Sequence, residues 1–430
     1  MTNKKFKLAA MSLATAVAVS AVGPSASAVT YYLGDGSVTV DQDNKGAFSY
    51  QGEDGNRTYV NEDKAETGDG TIYVKDGNAP TGEVPPSTDN SNNGTEETTP
   101  TDNDTQSTNA SGNNTENSST SETTTGNTIT VMEDVKKTDK ADGTEGNDVK
   151  IVVDGVNVDT STQTEALPDT GSTGDKTIIK VGEGADVDLT VKDSNLTTGG
   201  HGIDIGVNLD EKDDNKGANV DLTLDNTQIN LTQNGKAGIN VQDNSDVKLT
   251  LKGDDNLIDG SEAIKNVTKD GEKDISEDSV NVEGIRVGDG GASDGSGTSA
   301  GAETKLTISG GVEKTETAET DTEETESPTG GSLTISDTTG GLVMADGSDV
   351  EITDGADVTI EKTKTSGATQ AGRAVTQHGD LTISGGSSLT INGVEDNAKQ
   401  APHTGIGIAS WDNITVKDGS TLDISCLLYT

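Results

Sequence analysis

The chain has 430 residues and a formal charge of −45 at pH 7, with 75 Asp and Glu against 30 Lys and Arg. Such a surface repels phosphate backbones and anionic bilayers, which excludes nucleic acid as a partner. Apolar residues make up 28% and aromatics 2%, so any folded core must be thin and strictly patterned.

The first segment, 1–28, reads as a secretory signal peptide. Lys4, Lys5 and Lys7 precede an apolar run from Leu8 to Val22, Pro24 breaks it, and Ala26-Ser27-Ala28 supplies the small residues of a cleavage site. The run falls short of the roughly 20 residues a membrane span needs, and no later stretch is apolar enough. The mature chain is therefore expected to start at Val29, outside the cell, with no insertion into a membrane.

Residues 29–79 alternate apolar and polar in short pieces and form an N-terminal β segment, either first coils or a cap. Within it, "DQDNKG" (Asp41–Gly46) starts like a calcium loop. Lys45 stands at a ligand position, however, and Gly52 stands where a bidentate Glu belongs. "DEKDDNKG" (Asp210–Gly217) fails in the same way, through Lys212 and Lys216. No cofactor is implied, and only weak Ca2+ binding at Asp-rich turns is compatible with the charge density.

Residues 80–126, including "PPSTDNSNNGTEETTPTDNDTQSTNASGNN", have no apolar period and no basic residue. They form a disordered, self-repelling tract, either a loop let out of a regular body or a linker between domains. A second such insertion spans 312–331 ("VEKTETAETDTEETESPTGG").

From 127 to 425 the chain repeats itself. "DVDLTVKDSNLTTGGHGIDIGV" (Asp186–Val207) is followed by "NVDLTLDNTQINLTQNGKAGINV" (Asn219–Val241) and by "DVKLTLKGDDNLI" (Asp246–Ile258). Val187, Leu189 and Val191, then Val220, Leu222 and Leu224, then Val247, Leu249 and Leu251 alternate with polar residues. This is the period of a strand with one buried face. Each cycle of about 27 to 33 residues holds three short strands and Gly, Asp or Asn turns. Strands this short cannot fold alone, so the cycles must stack as coils with Leu222 and Leu249 inward and in register. The fold expected is all-β, a right-handed parallel β-helix with disordered acidic insertions. Thr190, Thr223, Thr250, Thr307, Thr334, Thr382 and Thr415 hold equivalent places in successive phrases and are expected to form one outward column.

The phrases "GIGIASWDNITVKDGSTLDI" and "HGDLTISGGSSLTI" resemble the repeats of secreted, adhesin-like β-helix surface proteins with a pectate-lyase-like fold. The resemblance covers 127–425. It implies a cell-surface protein that attaches to a host or bacterial glycan or protein, and it identifies no site residues.

"LPDTG" (Leu167–Gly171) matches a wall-sorting motif but lacks the apolar span and basic tail that sorting needs, so it reads as loop punctuation. Catalysis would need a carboxylate cluster with a basic residue close by. The only arginines, Arg57, Arg286 and Arg373, fall in unrelated phrases, and His201, His378 and His403 are far apart. No catalytic residues and no metal ligands are assigned. Trp411 is the only aromatic residue between Ile151 and Ser425 and is the residue expected to contact a sugar face; Arg286, on a coil strand, is the second candidate contact. The alternative is a polysaccharide lyase or glycoside hydrolase on a β-helix. The end, Cys426–Thr430, back-translates to "TGT CTC TTA TAC ACA", which matches a transposon sequencing adapter, so 426–430 reads as an artefact that truncates the native chain.

Overall fold

The structure, a computed structural model, describes residues 17–18, 29–33, 37–42, 48–51, 57–59, 71–77, 124–133, 135, 150–162, 176–209, 216–268, 280–288, 303–311, 330–364, 372–394 and 405–425. Three sheets of 11, 9 and 11 strands run along the molecule; they are called here sheets I, II and III. From Thr71 onward the chain visits them in that order. One coil comprises Asp186–Lys192 (sheet I), Asn195–Thr198 (II) and Ile203–Val207 (III); the next comprises Asn219–Asp225, Gln228–Leu231 and Lys236–Val241. The strands pair in parallel from coil to coil, giving a right-handed parallel β-helix. Among the described residues antiparallel pairs occur only towards the N-terminal end. Val17–Ala18 lies against Thr30–Tyr31, and Phe48–Gln51 and Arg57–Tyr59 extend sheet III beyond Val38–Gln42. Among the described residues one helix, Ser261–Thr268, interrupts a coil, and no helix is long and apolar enough to cross a membrane.

The alternation seen in the phrases becomes the core. On sheet I, Leu189, Leu222, Leu249, Ile308 and Ile352 stand in register, one per coil, and all are buried. Ile229, Ile258, Ile335, Ile360 and Ile391 do the same on sheet II. Coils about 4.8 Å apart bring each branched side chain against its copy above and below, so short strands share one continuous apolar column.

The corners explain the remaining letters of the repeat. Between sheets I and II the chain turns on one left-handed residue: Gly155, Asp193 (φ 48°), Asn226 (φ 49°) or Gly253. Asp and Asn tolerate that conformation better than other non-glycine residues. After this turn come Ser194, Thr227 and Asn256, all buried. Ser194 Oγ accepts from the Val156 amide at 3.2 Å, Asn256 Oδ1 accepts from the Thr227 amide at 3.0 Å, and Thr227 Oγ1 donates to the Val191 carbonyl at 2.8 Å. They satisfy backbone groups that the strand ladders leave unpaired at the bend. Where sheet III begins, Gly202, Gly238, Gly284 and Gly341 recur, each beneath the Ile of the next coil's sheet II strand. A Cβ on Gly238 would lie 2.5 Å from Ile258 Cγ2 and 2.9 Å from the Gly284 carbonyl oxygen. The "G-I" phrase is therefore a corner where two sheets approach too closely for a side chain.

Three expectations are revised. The threonines do not form one column. Thr190, Thr223 and Thr250 align with Ser309, whereas Thr307 and Thr382 stand in the neighbouring column with Asp221, Lys248 and Glu351. Thr334 belongs to sheet II, aligned with Thr359 and Thr390. Two-residue periodicity assigns a face but not a register. The tract drawn as 80–126 gives up its end to the coils: Thr124–Thr125 pairs with Val158–Asp159, and the Gly126 amide donates to the Asp159 carbonyl at 3.1 Å. The insertion drawn as 312–331 likewise gives up Gly331, whose carbonyl accepts from the Asp357 amide at 3.2 Å. Residues 80–123, 312–329, "LPDTG", His403 and 426–430 lie outside the described residues.

Candidate functional site

Sheet III differs from sheet I in what it does with its polar side. Along sheet I, buried and half-exposed residues alternate, as in Asp186–Lys192. Along sheet III almost every residue is buried, as in Lys236–Val241 and Gly340–Met344. Polar side chains here are paired within the sheet. Asp204 accepts from Asn240 Nδ2 at 2.8 Å and from Gln242 Nε2 at 2.9 Å. Glu283 is fully buried, and Arg286 Nε donates to its Oε2. Its other oxygen, Oε1, has no hydrogen-bond partner among the described residues. Arg286 is thus held to its own strand by a buried carboxylate, and its pairing with Glu283 was not foreseen from sequence. The two lie three residues apart, a spacing that strict alternation puts on opposite faces, but Val282–Val287 departs from that alternation, with Val282 to Ile285 buried in succession.

Three coils along the same sheet stands Trp411. Trp411 is 55% exposed and lies in the last described coil, where Ile406, Val416 and Ile424 are exposed as well because no described coil is stacked on them. The turn that carries it is fixed from several directions. The Trp411 amide donates to the Gln377 carbonyl at 3.0 Å. Gln377 stands in the inward column that holds Met344 in the preceding coil, and it is fully buried. Its Nε2 donates to the Asn413 carbonyl at 2.7 Å and to the Gly379 carbonyl. Ser410 Oγ donates to the Asp412 carbonyl at 2.8 Å, and Asn413 Nδ2 donates to Asp380 Oδ1 at 3.0 Å. A buried amide inside the coil therefore holds an exposed turn outside it.

The ring has two neighbours that sequence reasoning did not join to it. His378 lies one coil below and stacks on Trp411, with ring centroids 4.1 Å apart and planes 9° apart. The Arg373 guanidinium carbon is 5.7 Å from the Trp411 ring centroid, within cation–π range. Both are partly exposed. The signal was present in the register: Gln377 pairs with Ser410, which sets His378 beneath Trp411. His201, by contrast, is engaged through Nδ1, which accepts from the Ala237 amide at 3.0 Å. Arg286 aligns with Val343, Thr376 and Ala409, three coils or about 14 Å from the Trp411 turn. The two expected contact residues, Trp411 and Arg286, are therefore on one sheet but not in one site.

Among the described residues no group of three or more His, Cys, Asp or Glu is arranged to hold a metal ion. No protein-family model, curated protein or solved structure matches the chain.

Proposed function

We propose that this protein is an exported, non-catalytic β-helix rod of a bacterial surface, and that it contacts glycans through a platform formed by Trp411 and braced by His378 and Arg373. The observation that carries this reading is the pre-positioned Trp411 ring, stacked on His378 and approached by Arg373. An indole held by stacking on one side and by a hydrogen-bonded turn loses little freedom when a pyranose is laid on it, which is how aromatic platforms gain affinity. Export is supported by the leader at 1–28. Its removal after Ala28 would take away Val17–Ala18, while Val29–Tyr32 would keep its parallel pairing with Thr71–Lys75. A spacer role follows from the rod itself, which sets the platform away from whatever holds the chain. The non-catalytic reading is supported by Arg286, which is engaged by the buried carboxylate of Glu283 and so is not free to act as a base.

Trp411 is the only tryptophan in 430 residues, so intrinsic fluorescence reports on the site alone. Titration of purified protein with a panel of neutral and acidic oligosaccharides should give a saturable change in emission. Binding measured independently of fluorescence should be lost in Trp411→Ala. A panel that leaves both the emission and the calorimetric baseline unchanged would refute the platform. Release of unsaturated products from polygalacturonate would instead favour the lyase.

A further inference from the structure

We infer that a column of alternating charge on sheet I, Lys75–Asp154–Lys192–Asp225–Lys252, fixes the order in which the coils stack; this is independent of the platform reading above. The apolar columns cannot fix that order. Val187, Val220 and Val247 repeat one residue at one place in three successive coils, as do Leu189, Leu222 and Leu249, and Thr190, Thr223 and Thr250 repeat on the outer side. A sheet I strand would bury its apolar residues equally well against the next coil or against the one after it, in its own chain or in a second copy. Misassembly and strand exchange of this kind are the characteristic failures of repeat chains.

The charged column tells these partners apart. Asp154 stands in register with Lys75 on one side and Lys192 on the other, and it pairs with them at 3.7 Å and 3.2 Å. Lys192 is followed in register by Asp225, and Asp225 by Lys252. In a chain of 75 acidic and 30 basic residues, five alternating positions do not follow from composition. Leaving out one coil sets like charges opposite each other: Lys75 and Lys192, Asp154 and Asp225, or Lys192 and Lys252. Opposite charges across strands favour their pairing and like charges oppose it, so one such reversal shifts the preference by several-fold to about tenfold. That is little beside the stability of the whole rod, because exposed ion pairs contribute weakly. It is enough to choose between pairings whose apolar contacts are the same.

The test refolds the full chain from urea at low ionic strength and measures the monomer recovered, by size exclusion and far-ultraviolet circular dichroism. Lys192→Asp combined with Asp225→Lys keeps composition and net charge but makes the skipped pairings the attractive ones. Recovered monomer should fall several-fold, with the remainder in oligomers. Salt at about 1 M should narrow the gap to the parent, because it screens exposed charges beyond about 3 Å. Inverting the whole column (Lys75→Asp, Asp154→Lys, Lys192→Asp, Asp225→Lys and Lys252→Asp) changes every side chain but restores the alternation, and should return the parent's yield. Parental yield from the exchanged pair would overturn the inference. So would a fully inverted column that refolds as poorly as the exchanged pair, since the order of the charges would then not be what matters.

Discussion

Gly238→Ala isolates the corner that makes this β-helix narrow. Gly238 does not have the left-handed backbone that would itself resist alanine, so the substitution tests space alone. The new methyl would lie 2.5 Å from Ile258 Cγ2, short by about 1 Å of an ordinary carbon–carbon contact. Ile258 cannot readily turn away, because β-branched side chains have few χ1 options and it stands in register between Ile229 and Ile335. The Gly284 carbonyl oxygen, 2.9 Å from the same point, closes the other side. Overpacking of this kind costs ~1–3 kcal/mol, and the reduced freedom of the unfolded chain returns ~0.4–1 kcal/mol. The net expectation is a loss of ~1–2 kcal/mol. Ala374, three coils along the same column, shows that a coil built around a methyl accommodates it, which is why complete unfolding is not expected. The assay is urea denaturation followed by far-ultraviolet circular dichroism and by Trp411 emission, with a double-mutant cycle to Ile258→Ala. Alone, Ile258→Ala should cost ~2–5 kcal/mol. In combination the two should cost at least ~1 kcal/mol less than their sum, because the truncated side chain makes room for the methyl. Additive losses, or a neutral Gly238→Ala, would show that the corner is not set by this contact.

Leu249→Asp places a carboxylate in the sheet I column between Leu222 and Ile308, and should cost several kcal/mol and abolish cooperative unfolding by circular dichroism. Arg286→Ala strands the buried Glu283 and should cost ~3–5 kcal/mol, with Glu283→Gln added to it recovering much of the loss in thermal melts. Asp193→Ala should cost ~1–2 kcal/mol because of its left-handed backbone, whereas Asp193→Gly should be close to neutral in the same melts. Gln377→Met, which copies Met344 of the preceding coil, should leave the melting temperature within a few degrees of the parent but release the Trp411 turn, seen as lower fluorescence anisotropy and weaker sugar binding.

Much of the fold was legible in the repeat because a solenoid writes its long-range contacts as local ones. Leu222 and Leu249 are neighbours in space because they hold the same place in consecutive phrases. The left-handed turns were legible as Asp, Asn and Gly after each sheet I strand, since few other residues adopt that conformation cheaply. Trp411 could be singled out from rarity and a polar setting alone. What the letters did not determine is how neighbouring phrases align when their lengths differ. Thr250 and Thr307 look equivalent, yet they stand in adjacent columns, because an insertion changes where the next strand begins and only hydrogen bonding between coils settles the offset. The same register sets His378 under Trp411 and brings Arg373 to its ring, three residues whose separation in sequence carries no hint of contact. The Glu283–Arg286 pair forms on a strand, Val282–Val287, that does not keep the alternation sequence reasoning assumes. Local period thus determined which side chains face inward, and the stacking of coils decided which outward ones meet.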